Sequence, residues 1–161
     1  MTRAHTIRHQ DAKFVEGYIL RPGAEWLGGT LPGSHPHALR RDLERLAGDD
    51  GLLHVTLSLP AGLRADRDTW LRIVLTLLVL MNLPPYGTAW VAARHVDAGC
   101  DHIHIAVALR SFTGTPLKPY LSRHRTDQTH KTLARLIGLP EPRYFDPAIP
   151  SLQPVTPTRN L

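Results

Sequence analysis

The sequence predicts an α+β fold, a mainly antiparallel β-sheet with helices packed on it. Two stretches, 52–59 and 102–110, alternate with a period of two between an aliphatic set and a polar set, as half-buried strands do. Two others, 38–47 and 70–81, space their apolar residues as helices do. The connections between them are short and rich in Gly, Pro and Asp, which suits tight returns and hairpins.

Residues 1–12 are polar, carry His5 and His9, and suggest no particular element. Phe14, Val15, Tyr18 and Ile19 then form a helical stripe that ends before Pro22-Gly23, putting Tyr18 near the end of a short amphipathic helix. The Gly- and Pro-dense stretch 24–37 reads as a connector. Leu39, Leu43 and Leu46 share one side of a surface helix that Gly48-Asp49-Asp50-Gly51 ends. In 52–59, Leu53, Val55, Leu57 and Leu59 face inward, with His54, Thr56 and Ser58 on the opposite face.

Asp66 or Asp68 offers an N-cap for the next helix, which is apolar nearly all round and so is expected to lie buried against the sheet until Asn82-Leu83-Pro84-Pro85 breaks it. Residues 86–94 read as the strand that delivers His95, and the polar turn at 97–101 folds it back as a hairpin into 102–110. A short helix is expected over 129–137, stopped by Gly138 and Pro140. The remainder, 141–161, is Pro-rich with little apolar periodicity and reads as an extended or disordered tail, leaving 1–140 as the domain.

A chain of 161 residues is long enough for one domain with a sizeable core. Its net charge of +5 points toward an anionic partner, and arginine dominates the basic residues, which favours planar, bidentate phosphate contacts. The lone Cys100 excludes an intramolecular disulfide and a multi-cysteine zinc site. The longest apolar run, 71–83, is interrupted by Arg72, Thr76 and Asn82 and is too short to span a bilayer's hydrocarbon layer. A cytoplasmic protein without membrane insertion is expected.

The chemistry concentrates at 94–110. On the strand 102–110, His102, His104, Ala106, Ala108 and Arg110 share one face, while Ile103, Ile105, Val107 and Leu109 share the other. The hairpin brings His95 toward the same spot, so three imidazoles converge. Neutral imidazole is the commonest protein ligand for a divalent metal, and three ligands leave open positions for water or a substrate oxygen. That suits a working metal site rather than a closed structural one.

Taken together, F-V-E-G-Y-I-L-R-P-G-A-E-W-L-G-G-T at 14–30, H-V-T-L-S-L-P at 54–60 and R-H-V-D-A-G-C-D-H-I-H-I-A-V at 94–107 resemble the three ordered motifs of plasmid relaxases, mobilisation nucleases of the histidine–hydrophobe–histidine (HUH endonuclease) class. The resemblance covers 13–140. It implies an HUH-type relaxase fold and an enzyme that nicks and rejoins one DNA strand at a plasmid transfer origin through a 5′-phosphotyrosine intermediate. It implies Tyr18 as nucleophile, His95, His102 and His104 as ligands of Mg²⁺ or Mn²⁺, and Asp97 as the acid orienting a ligand imidazole. Ser58 matches the small hydroxyl that contacts DNA near the nick, and Arg110 and Trp26 are further candidates for DNA contact. Single-stranded DNA is the implied partner, with accessory mobilisation proteins and a secretion-system coupling protein beside it. Thr30 departs from the pattern, standing where members often carry Asn.

Related nucleases place the tyrosine after the histidines, which brings in Tyr120 and Tyr144. Two-histidine phosphoesterases, which cleave RNA or cyclic phosphates without metal, carry a His-X-Thr signature that His54-Val55-Thr56 fits, but His102-Ile103-His104 lacks the hydroxyl of the second copy. A non-catalytic module that keeps the fold and binds single strands is the third reading.

Overall fold

A computed structural model describes residues 3–32, 35–96, 99–136 and 138. Along the chain run β1 (Arg3–His9), a π-helical turn (Val15–Ile19), β2 (Glu25–Gly29), α1 (Pro36–Ala47), a 3-10 turn (Gly48–Asp50), β3 (Leu52–Ser58), α2 (Arg67–Leu80), β4 (Thr88–His95), β5 (His102–Ser111) and α3 (Arg123–Leu136). The tail at 141–161 and the domain boundary expected there lie outside the described residues.

All the strands join one antiparallel sheet in the order β1-β3-β5-β4-β2. This is the α+β architecture the alternation predicts, with β5 in the centre because it can bury both faces. Its Ile103, Ile105, Val107 and Leu109 meet Leu53, Val55 and Leu57 of β3 in a core closed by Trp70, Ile73, Val74, Leu77 and Leu78 of α2 and by Leu133 and Ala134 of α3. Asp66 caps α2, its carboxylate accepting from the Thr69 amide at 2.7 Å.

The opposite face is only partly covered. Leu39, Leu43 and Ala47 of α1, with Val15 and Ile19 of the π-helical turn, cluster with Leu52 of β3, Ala89, Val91 and Ala93 of β4, and Ala106 and Ala108 of β5. The small alanines let α1 approach the sheet closely. The half of this face nearer the β4–β5 turn carries histidines instead.

The polar stretch before residue 12 is an edge strand, β1, paired with β3 from Arg3↔Ser58 to His9↔Leu52. The supposed connector after Ala24 contains β2, the other edge. Gly29 is required there because a Cβ would stand 2.4 Å from the Trp90 carbonyl oxygen. A bulge between Trp26 and Gly28 disrupts the pairing with β4, and Leu27 is buried in the core on the α2 side. Thr30 continues the edge: its hydroxyl donates to the Thr88 carbonyl at 2.8 Å and accepts the Trp90 amide at 3.0 Å. The last helix begins at Arg123, six residues before the short helix expected over 129–137.

Candidate metal centre and nucleophile

Strand register brings the histidines together. His95 pairs with His102 across β4 and β5, while Ser58 pairs with His102 and Thr56 with His104 across β3 and β5. Directly opposed residues of antiparallel strands point to one face, so these side chains share the half of that face that α1 does not cover. His95, His102 and His104 are buried, and each offers a ligand nitrogen within 4.8 Å of the others. Three ligands each about 2.1 Å from one ion stand about 3.0–3.6 Å from one another, so the rings would close on a bound ion by at most roughly 2 Å.

Each ring is fixed through one of its nitrogens. His95 Nε2 meets the Ile19 carbonyl at 2.9 Å and His102 Nδ1 meets the Cys100 carbonyl at 3.1 Å. His104 Nδ1 lies 3.0 Å from His54 Nε2 and 3.1 Å from Thr56 Oγ1. A nitrogen that meets a carbonyl must carry the proton, so coordination would fall to Nδ1 of His95 and Nε2 of His102. For His104 the remaining atom, Nε2, is buried without a hydrogen-bond partner. Such a group asks for a ligand or water. Burial, followed by the neighbouring imidazoles and Arg21, pushes His104 down to about 3; burial and the charges of His9, His5 and His95 push His54 down to about 4. Both rings are neutral at physiological pH, the form that binds metal. Three buried imidazoles that converge on one face of the sheet therefore fit a divalent cation.

Tyr18 stands over this cluster. Its ring is edge-on to His104 at 4.9 Å between centroids, to His95 at 5.5 Å and to His54 at 6.1 Å. The turn that carries it is π-helical rather than α-helical, with the Leu20 amide reaching back to the Val15 carbonyl at 2.8 Å. Val15 and Ile19 are buried beneath it, whereas Tyr18 remains 41% exposed and accessible to a substrate. The His95–Ile19 hydrogen bond ties the tyrosine's segment to the histidine cluster. The Arg21 guanidinium lies 5.0 Å over the Tyr18 ring.

Ser58, partly buried, is beside His102 on the same face. Trp26 is half-buried opposite Ala93, two residues from His95 along β4. Arg110 is not brought to the cluster: it is six residues beyond His104, about 20 Å along the strand, and its Nε donates to Asp50 at 2.6 Å. Asp97 and Tyr144 lie outside the described residues. Tyr120 belongs to the α2 side of the sheet, its amide bonded to the Met81 carbonyl at the end of α2 and its neighbours Leu117 and Leu121 packed on that core. Trp70 and Trp90 are core residues, each with its indole N–H satisfied, by Asp101 and by the Pro85 carbonyl.

Three contributions escape a reading of the sequence alone. Two are the hydrogen bond between His54 and His104 and the placement of Arg21 over the tyrosine. The third is Asp101, which looks like a turn residue yet is buried. Its carboxylate accepts from Arg94 Nε at 2.6 Å and Nη2 at 2.9 Å, from Trp70 Nε1 at 3.1 Å and from the Ala65 amide at 2.9 Å. It therefore anchors the start of β5, next to His102, to β4 and α2.

Residues 37–139 match the family model described as relaxase, MobA/VirD2-like, nuclease domain. The chain belongs to the relaxase family. The matched span contains the three histidines, His54 and Ser58 of the relaxase and begins after Tyr18, so the tyrosine's case rests on its position over the cluster. No curated protein matches the relaxase. None of its described helices is long and apolar enough to cross a membrane.

Proposed function

We propose that this relaxase nicks and rejoins single-stranded DNA at a plasmid transfer origin, with Tyr18 as nucleophile and a divalent cation, Mg²⁺ or Mn²⁺, held by His95, His102 and His104. The observation that carries the reading is the exposed Tyr18 ring set edge-on against two of the three clustered histidines. Family membership supports DNA as the substrate.

In this reading the scissile phosphate rests over the histidine face, where the Tyr18 oxygen attacks phosphorus. A P–O bond to the phenol oxygen forms and the bond to the 3′ oxygen breaks; the phenol gives up its proton and the departing 3′ oxygen takes one up. A phenol is a weak nucleophile at neutral pH, and the Arg21 guanidinium 5.0 Å over the Tyr18 ring places a positive charge beside the site of attack. The bound cation would supply charge neutralisation at the phosphate oxygens. Because one phosphodiester is exchanged for another, the strand is rejoined by the reverse attack without ATP. Ser58 and Trp26 flank the site as DNA contacts, Ser58 through its hydroxyl and Trp26 as a surface on which a base stacks. Asp97 is proposed to orient a ligand imidazole from the turn after β4, and Arg110 to hold DNA at the far end of β5. Accessory mobilisation proteins and a coupling protein would complete transfer in the cytoplasm.

The reading is tested by incubating the full chain with end-labelled single-stranded DNA carrying the origin of its plasmid, with Mg²⁺ or Mn²⁺. A protein–DNA band that survives denaturation and disappears with chelator is expected. Salt-sensitive binding without such a band would mean a single-strand binding module instead.

A further inference from the structure

Histidine 54 lies outside the ligand trio, yet its Nε2 is 3.0 Å from His104 Nδ1, and the two residues are 50 positions apart in the chain. The strand register explains the meeting. His54 is on the histidine-bearing face of β3 opposite Ala106, whose small side chain leaves space beside it, and Thr56 is directly opposite His104. The His54 ring is itself held in place. Phe14 stacks on it at 5.0 Å between centroids and 23° between planes, and His9 packs against both rings, stacked on Phe14 at 4.0 Å and tilted against His54 at 5.8 Å. Tyr18 meets its edge at 6.1 Å.

A hydrogen bond between two neutral imidazoles needs one N–H and one lone pair. If His104 keeps its proton on Nδ1, its Nε2 has the lone pair; that atom is buried and without a protein partner. If instead His54 were the donor, His104 would carry its proton on Nε2 and lose its metal-binding face. A hydroxyl such as Thr56 can accept as readily as donate and so does not choose between the tautomers. The buried, unpartnered Nε2 of His104 does: an N–H there would lack an acceptor, whereas a lone pair there is what a metal takes, and His54 Nε2 is then the acceptor with its own proton on Nδ1.

We propose that His54 is a positioning residue, accepting the Nδ1–H of His104 and thereby holding Nε2 of that ring unprotonated and aimed at the metal position. It fills, for this ligand, the place that a carboxylate or carbonyl takes behind most metal-bound histidines. The His9–Phe14 stack would keep its ring from turning away. This role rests on the metal-site reading above, and the test separates the two.

The experiment uses the full chain with ¹⁵N-labelled histidine, free of metal, and reads the His104 tautomer from two-bond ¹⁵N–¹H correlations at pH 7.5. Co²⁺ titration followed by its d–d absorption gives a second readout. In the wild type His104 is expected as the Nδ1–H tautomer. His54→Phe, which keeps a ring in the stack but removes the acceptor, should shift His104 toward Nε2–H and weaken Co²⁺ binding about ten-fold or more. His54→Gln, which retains an acceptor near the Nε2 position, should restore much of both. Should His54→Phe fail to fold, the wild-type tautomer and the comparison of His54→Gln with His54→Leu decide in its place. An Nε2–H tautomer in the wild type, or the same tautomer and Co²⁺ affinity in His54→Phe, would overturn the role of His54. If the wild type shows the Nδ1–H tautomer yet binds no Co²⁺, the metal reading falls while the hydrogen-bond assignment stands.

Discussion

Tyr18→Phe is expected to abolish the covalent protein–DNA product, lowering its rate of formation by at least about 10³-fold, because among the described residues no other oxygen nucleophile occupies its position over the histidines. DNA binding should change by no more than about two-fold, since the ring, its edge contacts with His95 and His104 and the Arg21 stack survive. Tyr120→Phe is the matched control: that tyrosine is exposed on the α2 side of the sheet, away from the histidine cluster, and its replacement should leave the product unchanged. A denaturing gel with origin-bearing single-stranded DNA reads both variants. A band that persists in Tyr18→Phe and vanishes in Tyr120→Phe would move the nucleophile to the other face of the molecule and end the present account of the site.

The second large effect is structural. Asp101→Ala should destabilise the fold by about 3–5 kcal/mol, the range for removing one partner of a buried ion pair. The Asp101 side chain is 2% exposed and that of Arg94 14%. Removing the carboxylate also strips acceptors from the Trp70 indole and the Ala65 amide, so β4, β5 and the entry to α2 come loose together. Glu25 retains a 3.3 Å contact with Arg94 Nη1, but Glu25 is exposed and replaces little of the loss. Thermal denaturation followed by circular dichroism should show a midpoint lower by roughly 10 °C. Adding Arg94→Ala should cost less than the sum of the two single changes, because the guanidinium would no longer be buried without its partner. A fully additive double variant would show that the pair is not coupled. Since His102 follows Asp101 directly, weakened metal binding should accompany the loss of stability.

These two residues differ in how visible they are before the fold is known. Tyr18 shows itself through a helical stripe, Phe14, Val15, Tyr18 and Ile19, although the turn proves π-helical; period-four spacing does not distinguish one extra residue in a single turn. Asp101 shows nothing, since its partners are contributed by three separate segments. The strands β3 and β5 are legible because each sets aliphatic residues against polar ones, and the offset of His102 and His104 from Ile103 and Ile105 alone places both imidazoles on one face. That the polar set of β3 belongs to the same face follows only from their pairing.

The edge strands are illegible for opposite reasons. In β1, His5, Ile7 and His9 line the polar half of the sheet, so the alternation of a half-buried strand has little apolar contrast to display. In β2, Gly28 and Gly29 read as turn residues, although the second is there because the Trp90 carbonyl leaves no space for a Cβ. The start of α3 is hidden by its charge, since 123–131 is basic and polar and its apolar anchor, Leu133, comes only near its end. The hydrogen bond between His54 and His104 is the clearest case of information that register alone supplies.

The central claim is that His95, His102 and His104 hold one divalent cation beneath Tyr18. Anomalous diffraction from crystals grown with Mn²⁺ tests it most directly. The account predicts a single strong peak about 2.0–2.3 Å from one nitrogen of each of the three rings, on the side of the sheet that Tyr18 overhangs, and absent from a His102→Ala/His104→Ala variant. A peak bound elsewhere, or none at this cluster in well-ordered crystals at millimolar Mn²⁺, would contradict it.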